Sequence, residues 1–373
     1  MDSEQATALK ATAVPHPGEV VADYLDFHDW TQRDLSRRTG LTPKTISEIC
    51  NGKAPITAPT ALALEKVLQR PAHFWLNLQR QFDEAQARQA ELAKSTQWAG
   101  WARKFPLKEM RKFRFLPEGK SEVETLLHFL GVSSPDSWNA VWQASDVAFR
   151  QTRKFTTSVE SISAWIRETE LVAAELQTAD FSEQLLRSSI EELRRLTRAR
   201  ADTVMEPIQS ICAAAGVAVV WVPELPHCGI SGCARWLSDK RALIALTLRY
   251  KTDDQMWFTF FHELGHVLLH KKKRSFVLDN AAGDLSDQVV DPEMRQYEGE
   301  ANLFAADTLI PPAALGDFVR KKSFTNDDIH NFAEEVGVGP GIVVGRLQHE
   351  RLLARHQGNA LKQTLHWKFA EGA

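Results

Sequence analysis

Apolar positions recur at helical spacing through most of the first two hundred residues, and the pattern then changes character. Residues 17 to about 92 read as short helices joined by tight connections. From about 93 to 205 a helical period continues through a Trp-rich and Arg-rich stretch, with breaks at Pro106, Pro117, Gly131 and Pro135. From about 206 onward, ICAAAGVAVVWVPEL predicts a helix end, a glycine stop and a short buried strand. GCARWL and RALIALTL predict two more strands. DDQMWFTFFHELGHVLLH predicts a helix buried on most faces. The following KKKRSFVLDNAAGDLSDQVVDP reads as a loop, and a second long helix, a stop at Pro311 and Pro312, and two shorter helices complete the pattern. The expected fold is mainly α with an α+β tail: a helical head at 17–92, a helical middle region at 93–205, and a tail at 206–373 with a small sheet. Residues 1–16, polar and small through position 14, are expected to form a disordered tail.

The head carries the first chemical signal, in WTQRDLSRRTGLTPKTISEICNGK. Thr31 is placed to cap a helix through about Thr39, Gly40 permits a sharp turn, and Leu41 packs beneath it. Thr42 then caps a second helix with Pro43 at its first position. On that helix Ile46 and Ile49 point toward a core, and Lys44, Thr45, Ser47 and Glu48 lie off that face. This is the layout of a recognition helix whose N-terminal side chains reach base edges in the major groove. Net charge is only −3 over 373 residues, so nucleic acid is not attracted globally. From Thr31 to Lys53, however, five basic residues (Arg33, Arg37, Arg38, Lys44, Lys53) stand against two acidic ones (Asp34, Glu48), a local +3 suited to phosphate. Arg37 is accordingly expected to touch the DNA backbone.

The second signal is HELGH. His262 and His266 lie four apart on one helix face, where two imidazoles can share one metal. Glu263 leaves the helix about 100° away, near the metal's open position, where a carboxylate can take a proton from water. Apolar neighbours (Trp257, Phe258, Phe260, Phe261, Leu264, Val267) make unpartnered polar groups costly there. A catalytic zinc requires a third protein ligand. His270 lies eight residues from His262, about 12 Å along the axis, too far for both to hold one ion at about 2 Å. It reads instead as a cation at the helix C-terminus. On YEGEANLFAADTLIPP, Glu298 and Asn302 share a face, a ligand carboxylate one turn before a side chain able to hydrogen-bond behind the site. Glu300 lies on another face with Leu303 and Phe304. Glu298 is preferred over Glu300 on helical face alone. One Zn2+ per chain, bound by His262, His266 and Glu298, is the expected cofactor.

Two resemblances follow from these motifs. The run from HPGEVVADYL through the hairpin to TALALEKVLQRPAHFWLNLQRQFD resembles the HigA-like antitoxin branch of the Cro/repressor (XRE) helix-turn-helix family. The resemblance implies that Gln32 sits at the phosphate-contacting start of its helix, that Lys44, Thr45 and Ser47 face the bases, and that the protein binds palindromic operators as a homodimer. HELGHVLLH, then ExEANxFA ending in LIPP, together with RYKTDDQMWFTFF and IHNFAEEVGVGPGIVVGRLQHE, resembles the ImmA/IrrE metallo-endopeptidases. That resemblance covers about 206–350 and implies a zincin-like fold and cleavage of a protein, often a repressor. The family's usual LLMP is here Leu309-Ile310-Pro311-Pro312.

The remaining features change the picture little. His227, Cys228 and Cys233 lack a fourth ligand at convincing spacing and read as small residues on a Gly-rich strand connection that can border the cleft. The Lys271–Arg274 run reads as a solvated cap at a helix end, and the eleven tryptophans as core. No apolar run reaches the ~20 residues of a membrane-spanning helix. The N-terminus lacks a basic region followed by an apolar one, so four sparse cysteines point to reduced thiols in a cytoplasm. The expectation is a DNA-binding regulator, double-stranded operator DNA its partner, fused to a zinc endopeptidase acting on a protein substrate. The alternatives are an antitoxin or sensor, with a toxin partner or ligand, whose metal fold does not cleave, and a free peptidase whose head only docks partners.

Overall fold

The computed structural model describes residues 14–117, 121–143, 157–270, 277–279 (backbone) and 292–367. The expected disordered tail and the Lys271–Arg274 run lie wholly or largely outside these residues. Two compact units divide between Ala99 and Gly100.

In the first unit, α1 (Pro17–Phe27), α2 (Gln32–Thr39), α3 (Pro43–Cys50) and α4 (Ala58–Leu68) lead into a 31-residue α5 (Ala72–Ala102). Each of the first three helices begins on a side chain that accepts a backbone N–H: His16, Thr31 and Thr42. His16 and Thr31 complete reciprocal boxes with Glu19 and Asp34. Gly40 ends α2 in the left-handed conformation, φ +74°, so the chain turns sharply into α3. Val21, Leu25, Leu35, Ile46, Ile49, Leu64 and Trp75 form one buried core, and Leu41 packs against it. The expected 92/93 division falls inside α5, whose second half has no Pro or Gly before Gly100 to stop it.

The second unit is built on helices and a small sheet. Ahead of the sheet come α6 (Leu107–Lys112), α7 (Glu122–Leu130), α8 (Pro135–Gln143), α9 (Val159–Glu175), α10 (Glu183–Arg195) and α11 (Met205–Ala214). The strands β1 (Val217–Trp221), β2 (Gly232–Ser238), β3 (Arg241–Leu246) and β4 (Val277–Asp279) follow in sequence. Their spatial order is β1-β3-β2-β4, with β1 parallel to β3 and the other pairings antiparallel. β4 lies within the expected loop. Three residues without alternation carry no strand signal, and pairing with β2 creates this one. Between β3 and β4 runs α12 (Asp253–Leu269), almost wholly buried. α13 (Pro292–Leu309), α14 (Pro312–Arg320), α15 (Asn326–Val336) and α16 (Pro340–His349) follow. Three helices, not two, therefore follow the Pro-Pro pair. Pro312 occupies the first turn of the next helix, where its missing N–H costs nothing.

The α12 helix sits at the centre of the unit's core, with Trp257, Phe260, Phe261 and Leu264 buried against Val219, Ile244, Ala305 and Val343 among others. The middle region joins this core rather than standing apart: Leu186 and Leu193 belong to it. Trp165 of α9 donates to the carbonyl of Val222, and Glu170 pairs with Arg167 and with Arg235 on β2. Trp75, Trp138, Trp142, Trp165 and Trp257 are buried.

The N-terminus of α12 is closed by the far end of the chain. Asp253 Oδ1 accepts from the backbone N–H of Gln363 at 3.0 Å. Lys362 Nζ donates to Asp254 Oδ2 at 2.7 Å, a pair with both side chains largely withdrawn from solvent. A single antiparallel bridge joins Thr252 and Thr364 beside them. Burial, with the neighbouring Asp254 charge, pushes the Asp253 carboxyl up to about 6, against the pull of its backbone hydrogen bonds.

Candidate metal centre and DNA-binding face

α12 presents His262 and His266 on one face, and their Nε2 atoms lie 2.9 Å apart. α13 packs alongside and brings in Glu298, whose carboxylate oxygens lie 3.3 Å from His262 Nε2 and 3.6 Å from His266 Nε2. One donor atom from each of the three residues lies within 4.8 Å of the others. Among the described residues this is the one group of three with such geometry. Two imidazole nitrogens and a carboxylate oxygen suit a borderline divalent ion such as zinc. Burial, with His262 and His270 beside it, pushes His266 down to about 2, so its ring is neutral at neutral pH and has a lone pair to give.

The back nitrogens of the two histidines are also engaged. His262 Nδ1 lies 2.9 Å from Asn302 Oδ1, one turn after Glu298 on α13. His266 Nδ1 lies 3.0 Å from His270 Nδ1, and His270 Nε2 lies 2.9 Å from Glu300 Oε2. Glu298 and Glu300, separated in the sequence only by helical face, are thus placed differently: one beside the two Nε2 atoms, the other on His270. Hydrogen bonds from His270 and Gln296 hold the Glu300 carboxyl below the usual carboxylate range. His270 is not a bare helix-end cation, because its ring is nearly buried between His266, Tyr297 and Glu300.

Glu263 is fully buried beside the cluster. β2 runs against it so closely that a Cβ at Gly232 would lie 2.6 Å from its Oε1. The Gly-rich connection therefore borders the site at Gly232. Cys228 and Cys233 are buried, and burial raises both thiols far above their usual range, which leaves them protonated.

In the first unit, Gln32 and Arg37 are exposed on α2, and Lys44 is exposed on α3. Arg37 and Lys44 make only long, solvent-exposed pairs, with Asp34 at 3.9 Å and Glu48 at 3.8 Å, which leaves both free to turn to phosphate or base. Thr45 Oγ1 shares a 2.8 Å hydrogen bond with Thr42 Oγ1, and Ser47 accepts from Asn51 Nδ2 through its carbonyl and its hydroxyl. Two features of this face were not singled out in the sequence. Asn51 extends the polar edge of α3, and Arg38 stacks at 4.0 Å over Trp30, itself stacked on His28. An Arg eight residues after a Trp across a helix start is a signal visible only once the cap places them together.

Residues 235–348 match the IrrE N-terminal-like domain family (peptidase family M78), and residues 28–75 match a helix-turn-helix family. The chain is 32% identical over 79 residues to an uncharacterised helix-turn-helix-type transcriptional regulator, YddM, of Escherichia coli K12, covering 21% of this chain and 84% of that protein. It is 35% identical over 75 residues to virulence-associated protein I of Dichelobacter nodosus, covering 20% of this chain and 69% of that one. A solved structure of an addiction module antidote protein of the HigA family from Coxiella burnetii is 34% identical, with 22% of this chain and 91% of that chain covered and a TM-score of 0.21. No helix among the described residues is long and apolar enough to cross a membrane.

Proposed function

The chain belongs to the helix-turn-helix (XRE) regulators through its N-terminal unit and carries an IrrE N-terminal-like domain, and from that premise we propose that it is a cytoplasmic, antitoxin-like transcriptional regulator whose second unit hydrolyses a protein target at a zinc ion. The observation that carries the peptidase reading is the buried Glu263 carboxylate beside the His262, His266 and Glu298 donors. A purely structural ion has no use for an acid in that place.

In this reading the domains divide as a 17–92 DNA-binding head, a 93–205 middle region and a 206–373 peptidase region. His262, His266 and Glu298 hold one zinc per chain, and Asn302 orients His262. Zinc, when bound, polarises a carbonyl and lowers the pKa of water. Glu263 takes the proton of the attacking water and delivers it to the leaving amine. β2, passing Glu263 at Gly232, walls the cleft on that side. In the head, Gln32 and Arg37 contact phosphate while Lys44, Thr45 and Ser47 face bases. The head binds a palindromic operator as a homodimer, and likeness to the HigA-family antidote makes a toxin a candidate partner. The target of cleavage is a protein, a repressor being the first to try.

The test is a side-by-side time course of target cleavage and operator binding for parent and Glu263→Gln, with products of neighbouring genes as substrates and a chelator control. The variant is expected to fold, retain zinc and bind operator like the parent, and to cleave at least ~100-fold more slowly. Undiminished cleavage rules out the mechanism. No cleavage by either protein, with an unchanged regulatory response, favours a sensor domain that binds without cutting.

A further inference from the structure

The two histidines of HELGH are backed by different partners, and the difference assigns a role to residues the peptidase reading leaves idle. Both rings turn Nε2 toward each other and Glu298, so Nδ1 is the rear nitrogen of each. Behind His262 stands Asn302 Oδ1, an acceptor. Behind His266 stands another imidazole nitrogen, His270 Nδ1, at 3.0 Å. An ion can join the two Nε2 atoms, but this rear pair lies away from the donor cluster, so here one nitrogen must donate and the other accept.

Glu300 decides which. His270 Nε2 lies 2.9 Å from Glu300 Oε2, and a carboxylate only accepts, so the His270 proton sits on Nε2. With its ring proton held there, His270 offers Nδ1 as an acceptor. The proton between the rings must come from His266 Nδ1, which leaves the His266 Nε2 lone pair facing the donor cluster. Glu300 is itself held: Gln296 Nε2 donates to its Oε1 at 2.8 Å. The His270 ring lies 4.4 Å from that of Tyr297 and its side chain is only 7% exposed, so it has little freedom to turn away.

We propose that Glu300 and His270 form a two-step hydrogen-bond relay that fixes the tautomer and orientation of His266, with His270 and Glu300 as positioning residues for the metal site. The inference rests on the zinc reading above and extends it. Sequence spacing explains why the role is hidden. His262, His266 and His270 repeat every four residues along α12 and its C-cap, and Glu298 and Glu300 stand two apart on α13, so a ligand pair and a relay pair present the same residue types.

Two measurements on the full chain test it. The first is zinc affinity against a chromophoric competing chelator for the parent, His270→Phe, Glu300→Ala and Glu300→Gln. His270→Phe and Glu300→Ala are expected to weaken zinc binding roughly 10- to 100-fold, the scale set by losing a partner behind a ligand. Glu300→Gln should recover most of that loss, because its amide oxygen still accepts from His270. Glu300 is 44% exposed, so Glu300→Ala should melt like the metal-free parent and report binding alone. The second is the tautomer of His266 in metal-free, 15N-histidine-labelled protein by long-range NMR correlation. The parent should carry its proton on Nδ1, and Glu300→Ala should show a mixture. Zinc affinities within about twofold of the parent for both His270→Phe and Glu300→Ala overturn the proposal, as does a His266 proton found on Nε2 in the parent. A parent that takes up no zinc overturns the peptidase reading, while the tautomer measurement still decides the relay.

Discussion

A methyl group at position 232 has nowhere to go. It would meet Glu263 Oε1 and Thr259 Cγ2, each at 2.6 Å, in the most buried part of the site. Gly232→Ala is therefore expected to push Glu263 out of place. It should cost about 1–3 kcal/mol of stability and slow cleavage, readable together as a lower melting temperature and a lower turnover with zinc content unchanged. On the DNA face, Lys44→Ala and Thr45→Ala should relax sequence preference. Arg37→Ala should weaken all duplexes alike and flatten the salt dependence, which binding isotherms at several salt concentrations separate. Equal binding to operator and scrambled duplex would remove the regulator reading. Asp253 provides a pH handle. Its folded-state pKa of about 6 lies above the ordinary carboxylate value, so the folded form holds its proton more tightly than the unfolded chain. The stability from that proton is complete below about pH 4 and is lost as pH rises through about 6. Asp253→Asn should flatten this slope in denaturant titrations run between those values.

At the scale of elements, α12 depends on its start as much as on its ligands. Thr252 makes no side-chain cap, and Asp253, Asp254, Lys362 and Gln363 supply the closure instead. Lys362→Ala leaves the Asp254 carboxylate buried without its cation and should cost about 3–5 kcal/mol, seen as an early unfolding step of the second unit. How much of this was legible in the sequence depends on whether the signal is local. Thr31, Gly40, Thr42 and Pro43 mark the ends of α2 and α3 because caps and left-handed stops act within a few residues. The strands of ICAAAGVAVVWVPEL, GCARWL and RALIALTL were legible from continuous apolar runs between turn residues. β4 was not, because its existence comes from pairing with β2. Nor could the stop at Pro311 and Pro312 show a helix starting at the same place. Glu298 and Glu300 were separable only by helical face. What distinguishes them in three dimensions is His270, thirty residues before Glu300 and at the end of another helix.

At the scale of the whole molecule, a local +3 hairpin and a buried His-His-Glu cluster lie in separate compact units. A ligand bound only by the second unit should stabilise that unit and leave the other unchanged. Zinc at a hundred times its Kd should raise the second unit's unfolding free energy by about 2.7 kcal/mol. Scanning calorimetry with and without chelator should then move one transition and leave the other in place. Elemental analysis should return about one zinc per chain, lost in His262→Ala, His266→Ala and Glu298→Ala.

The closure of α12 by Lys362 and Gln363 also sets an order in time. Asp253 waits for a partner 110 residues further along the chain, and Asp254 for one 108 residues on. At roughly 5–20 residues per second of synthesis, the helix carrying the metal ligands exists for roughly 5–20 s before the contacts at its start can form. The head has no such wait: its most distant ties, such as His16 against Phe82 and Tyr24 against Trp75, close within the first hundred residues. During translation the DNA-binding unit is thus finished first. Trp257, Phe260 and Phe261 emerge onto an unfinished core, and the closure at the start of the helix that carries two of the metal donors forms after Glu298 has already been made.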